Sequence, residues 1–142
     1  MATLETAIYG HLAATSGVTD LVSTRIYRAG DVPQSLTASQ AYVTYHRIST
    51  VRERRQAGPA GLALARVQFD CYSQTPKGAK AICDAVRAAW ESQSGATGAS
   101  GKQVTVKVAT PDTEYNDYTE PTTGSNEGMH RYILDVLIWY VE

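Results

Sequence analysis

The chain has 142 residues and a mass of 15.4 kDa, with 43% hydrophobic and 19% charged side chains, a net charge of −1 and a pI near 6.3. That length suits a single domain over residues 1–142 with one core, and the composition excludes a chain disordered throughout. The charge balance provides no long-range field toward DNA or anionic membranes, no apolar run reaches the ~18–20 residues of a bilayer span, and the start MATLETAIYGHL has no signal-peptide pattern, so a protein made and kept in a cytoplasm is expected.

The first predicted element is a helix from Leu4 to about Thr15, because Leu4, Ile8, His11, Leu12 and Thr15 recur at three and four, the helical period. Thr3 is its expected N-cap and Gly17 its expected stop, and His11, at the stripe's edge, is read as partly buried. Val18–Val22 suits one further turn, and STRIYRAG a short extended piece. Residues 31–40, DVPQSLTASQ, have no period and are expected to be a loop.

From Ala41 the pattern alternates, with Val43 and Tyr45 on one side and Tyr42, Thr44, His46 and Ile48 on the other. A second strand places Ala65, Val67, Phe69 and Cys71 on an apolar face and Arg66, Gln68, Asp70 and Tyr72 on a wet one. The stretch between them is too long for a tight turn, which predicts a hairpin with a long loop whose tip carries Arg52, Arg54 and Arg55.

TPKGAKAICDAVRAAWES predicts the clearest helix: Thr75 can cap, Pro76 suits the first turn, and Ala79, Ile82, Cys83, Val86, Ala89 and Trp90 form the apolar stripe. A flexible Gly/Ser loop, SQSGATGASGK, follows. QVTVKVAT then alternates as a strand, residues 111–128 form an acidic stretch without lysine or arginine, and HRYILDVLIWYVE is apolar on both faces, as a central strand would be. The expected fold is α+β: an antiparallel or mixed four- to five-stranded sheet with two helices packed on one face and a long hairpin loop.

No nucleophile elbow, phosphate loop, dinucleotide fingerprint or metal-binding spacing occurs, so an enzyme is not expected, nor a cofactor or a metal. Cys71 and Cys83 are read as small buried hydrophobes, with Cys71 and His46 on opposite faces of their strands. Asp135 interrupts an apolar strand, which predicts a carboxylate paired with an arginine of a neighbouring strand or subunit, or an interface residue. Arg52, Arg54 and Arg55, with Arg47, make a basic tip. Asp112, Glu114, Asp117 and Glu120, interleaved with Tyr115 and Tyr118, make an acidic, aromatic loop. Opposite charge and interface-favoured residue types mark both as candidate assembly surfaces.

The order of LETAIYGHLAATSGVTDLVSTRIYRAGDVPQ, AYVTYHRIS, GPAGLALARVQFDCYS with the helix after it, and the closing HRYILDVLIWYVE resembles the tail-completion or tail-terminator proteins of long, non-contractile tailed bacteriophages, with RIY at 25–27 and WY at 139–140 the most telling parts. The resemblance spans nearly the whole chain. It implies a non-enzymatic virion protein of the tail and neck, assembled in the host cytoplasm into a ring, typically a hexamer. Such a ring caps the tail tube, stops its polymerisation and offers a surface to the head connector or head-completion protein. The implied partners are other copies of the chain, the tube protein, that connector and the genomic DNA passing through a central channel, with no membrane. On this reading the tip, Arg52 to Arg55, contacts a neighbouring subunit or the tube, and the acidic loop faces the channel or the head-side partner. The alternatives are another neck or tail component, such as a head-completion adaptor or a tube subunit, and a nucleic-acid-binding module.

Overall fold

A computed structural model of the chain describes residues 3–33, 40–55, 58–91, 93–119 and 129–142. Helix α1 is Leu4–Ala13, and Thr3 caps it: its hydroxyl accepts from the Thr6 N–H at 3.2 Å while Thr6 Oγ1 accepts from the Thr3 N–H at 3.1 Å. Gly17 is not its stop. The chain turns extended at Thr15, whose hydroxyl bonds the His11 carbonyl, and Gly17 lies inside a second helix, α2, Ser16–Val22. Strand β1, Ile26–Arg28, runs parallel to β2, Tyr42–Arg55, which pairs antiparallel with β3, Gly58–Ser73.

Helix α3, Pro76–Trp90, begins with the Thr75 hydroxyl accepting from the Gly78 N–H and buries Ala79, Ile82, Cys83, Val86 and Trp90, the stripe its spacing predicts. A short strand β4, Gly95–Thr97, leads to β5, Val104–Thr119, and β6, Met129–Val141. The sheet has the order β1-β2-β3-β6-β5-β4, so β3 and β6 are the central pair.

The result is an α+β fold with a mixed six-stranded sheet and three helices, larger than the four or five strands and two helices expected. The additions are α2, which the sequence shows only as one more turn, and β4, three residues inside the Gly/Ser stretch. Alternation also underestimates two strands. Residues 51–54 and 112–116 are exposed on both faces, so no inside–outside pattern marks them, yet the backbone ladder continues through both. Bulges at Arg47/Ser49, Arg52/Arg54 and Pro111/Glu114 further break the two-residue period. In place of the expected long hairpin loop, strand continues to Arg55 and resumes at Gly58, and the first part of the acidic stretch, up to Thr119, is strand.

All three helices sit on one face. The Trp90 ring of α3 lies tilted at 6.0 Å from Phe69 of β3 and at 4.5 Å from His11 of α1, and Val43, Ala65, Val67, Cys71, Leu134, Val136 and Ile138 complete the core beneath them. Each fully buried Leu, Ile or Phe side chain contributes about 1.5–3 kcal/mol. Helix α1 touches both β1 and β4, the two edges of the sheet, so the sheet curls around the helices and its other face is convex.

Candidate functional site

Two β-arms leave the body at opposite ends. The first is the β2–β3 hairpin: Val51, Arg52, Glu53 and Arg54 are all exposed, and Arg54 lies opposite Pro59 at its far end. The second is the β5–β6 hairpin, in which 112–116 are exposed and Asp117 and Tyr118 pair with Arg131 and His130. Antiparallel register sets the ends apart. The base of the basic arm pairs with the C-terminal end of β6, Leu62 with Val141, whereas the acidic arm pairs with its N-terminal end. The basic arm is on the β2 side and the acidic one on the β5 side, so they occupy diagonal corners.

These arms carry most of the predicted site residues. Arg52 and Arg54 are strand residues, and Arg52 is already engaged: its Nε reaches both carboxylate oxygens of Glu142 at 2.8 and 3.0 Å, an exposed pair that solvent screens and that adds little to stability. Arg55 is placed by its backbone, opposite Gly58. Arg47, grouped with the tip by sequence, belongs instead to the body. It continues the inward alternation of Val43 and Tyr45, opposite Val67, and its Nη2 binds Glu5 of α1 at 2.8 Å while Nη1 meets the Tyr140 hydroxyl.

On the acidic arm, Asp112 and Tyr115 are exposed, Asp117 and Tyr118 are placed by their backbones, and Glu120 lies outside the described residues. Glu114 differs from the expected free loop carboxylate: the bulge at Pro111/Glu114 puts it on the helix side, where it accepts from Lys80 Nζ at 2.9 Å and from the Cys83 thiol at 3.0 Å. Those two hydrogen bonds, the thiol's foremost, hold its carboxyl below the usual range, and the hydrogen bond to Asp84, followed by that to Glu114, raises Lys80. Cys71 and Cys83 are both buried free thiols, and a hydrogen bond with Cys83, together with burial, pushes Cys71 well up, away from the thiolate form a nucleophile needs.

Asp135 is paired as predicted, on the neighbouring strand: it is 3% exposed and Arg66 Nη2 of β3 binds its Oδ2. The sequence hid a second such pair. Asp70, on the face expected to be wet, is 8% exposed, with Arg131 Nη2 on its Oδ2 at 3.0 Å. Only the strand register, which sets β3 beside β6, brings these charges together; no local pattern in either segment reveals it.

Both long strands also keep open edges. Strand β1 covers β2 only at 43–45 and β4 covers β5 only at 104–106, so among the described residues the remaining outer edges have no ladder partner. Exposed charge along them discourages indiscriminate pairing while leaving specific pairing open. Among the described residues no group of three or more His, Cys, Asp or Glu could hold a metal, and no helix is long and apolar enough to cross a membrane.

No curated protein matches the chain. Its fold is similar to that of a chain in a solved structure described as the virion of a native gene transfer agent (GTA) particle, with a TM-score of 0.69 at 20% identity over 98% of this chain and 95% of that one. Residues 6–140 match the family described as Tail completion protein gp17, and with nearly its whole length accounted for the chain belongs to that family.

Proposed function

We propose that the chain is a structural virion protein that terminates a bacteriophage-type tail: a ring, hexameric in its simplest form, that caps the tube, stops its growth and joins it to the head connector. Membership of the tail completion family supports the tail role, and the observation that carries the assembly role is the diagonal placement of two arms of opposite charge. Copies that associate head to tail need two unlike surfaces on each subunit, and association closes into a ring when the rotation between copies allows it. A basic arm at one corner and an acidic arm at the other meet that requirement, and neither can reach the other within one subunit.

In this reading the basic arm contacts the neighbouring subunit or the tube. The outer part of the acidic arm faces the head-side partner or the channel, where carboxylates keep the passing duplex from adhering, since phosphate binding is driven by cationic contacts. The test is arrest of tube growth. Purified chain added to polymerising tube protein halts elongation and appears as one ring at the tube end. Long stacks of the chain itself identify a tube subunit instead, and unaltered elongation refutes the reading. Reversing Arg52, Arg54 and Arg55 to Glu together abolishes capping and joining while the monomer keeps its melting temperature.

A further inference from the structure

The convex face of the sheet is covered by no helix among the described residues, and it carries two ion pairs that cross the central strands in opposite senses, Arg66 to Asp135 and Arg131 to Asp70. Asp70 has donors on both oxygens: Gln68 Nε2 reaches Oδ1 at 2.9 Å and Arg131 Nη2 reaches Oδ2 at 3.0 Å. Asp135, the more buried of the two, has only one. Arg66 binds Oδ2, and among the described residues Oδ1 has no donor. A buried carboxylate oxygen without a donor is unfavourable, more so than a neutral group would be.

The surroundings deepen the imbalance. The bulge of β5 that holds Asp112 lies between Pro111, opposite Val136, and Glu114, opposite Leu134, so a second carboxylate stands on the strand beside Asp135, whose one arginine is itself half exposed. Beside this acidic site runs an apolar row, one residue from each of four adjacent strands: Val51 opposite Leu64, Leu64 opposite Trp139, and Trp139 opposite Val108. Val51 is 61% and Val108 43% exposed. Acidic groups, an unanswered buried acceptor and an open apolar row together call for a cationic, partly apolar strand.

We propose that this part of the convex face receives the basic arm of a second copy of the chain, with Arg54 seated beside Asp112 and Asp135. The inference rests on the ring reading above and assigns its subunit contact. Charge complementarity selects the occupant: Arg54 is exposed, has no ion pair among the described residues, and stands near the end of the basic arm, beyond the apolar row. The arm of the same copy is excluded as occupant. Arg54 lies opposite Pro59 and Asp135 opposite Gln68, nine residues further along β3 or about 30 Å of rigid sheet. Donor and acceptor are different surfaces, so each copy gives one and receives one.

A charge swap in the full-length chain tests the contact. Arg54→Glu alone and Asp112→Arg alone each lower the yield of rings on tube ends by about tenfold, since like charges then face each other. The double variant restores the yield to within about twofold of the native chain, a recovery that misfolding cannot produce. Asp135→Asn, which keeps the shape and removes the charge, weakens ring formation without changing the melting temperature of the monomer by more than a few degrees. Single variants that cap at native yield, or a double variant no better than the singles, overturn the docking surface while leaving the terminator reading intact. Absence of rings with the native chain itself overturns both.

Discussion

At the scale of single residues, the two cross-strand ion pairs differ in what they contribute. A buried pair is close to neutral against an apolar replacement, but removing one partner strands the other charge. Arg66→Ala leaves Asp135, at 3% exposure, without a donor among the described residues, and is expected to lower stability, by less than for a fully buried pair because Arg66 itself is half exposed. A urea titration reads this as a lower midpoint with an unchanged slope. Glu114 gives a pH signature instead. Its folded carboxyl is held below its unfolded value by Cys83 and Lys80, so its contribution is complete above the ordinary carboxylate range and disappears as pH falls through the folded value. Glu114→Gln is therefore expected to lose about 0.5–1.5 kcal/mol at neutral pH. The gap between native and variant should then close below about pH 4, a convergence that paired melting curves check.

At the scale of elements, packing decides the sign of substitutions that propensity alone would misjudge. Gly10 sits inside α1, where alanine would ordinarily add about 1 kcal/mol to helix stability. A Cβ there would stand 2.5 Å from the Ala99 backbone nitrogen, and a Cβ on Gly98, whose φ is +116°, would stand 2.9 Å from the Ala7 Cα. Gly10→Ala is thus expected to destabilise by about 1–3 kcal/mol, measured as a drop in melting temperature, because the helix and the turn after β4 must separate. The sequence shows α3 nearly to the residue, from the Thr75 cap to Trp90, since one stripe and two end signals all agree. It shows β3 just as well, with Ala65, Val67, Phe69 and Cys71 all buried. It fails where strands leave the body: Val51–Arg54 and Asp112–Asn116 have solvent on both sides, so binary patterning has nothing to record. The candidate site was legible by charge and residue type. That Glu114 turns back into the body was not, because it follows from a bulge; Arg47 was grouped with the tip by charge, although it continues the inward alternation of Val43 and Tyr45.

At the scale of the whole molecule, the proposed role requires a polypeptide that presents unlike surfaces to its own copies and to neighbouring virion parts. The curled sheet makes this possible by burying its concave face on three helices while leaving a convex face, two open edges and two charged arms for contacts. Membership of the tail completion family and a fold shared with a gene transfer agent virion chain agree with that use. The most direct measurement is electron microscopy of particles from a strain in which the gene for this chain is deleted. Tube assembly without its terminator should yield tails of uncontrolled length beside unjoined, filled heads, with normal particles returning on complementation. Tails of uniform native length joined to heads in the deletion strain would contradict the account.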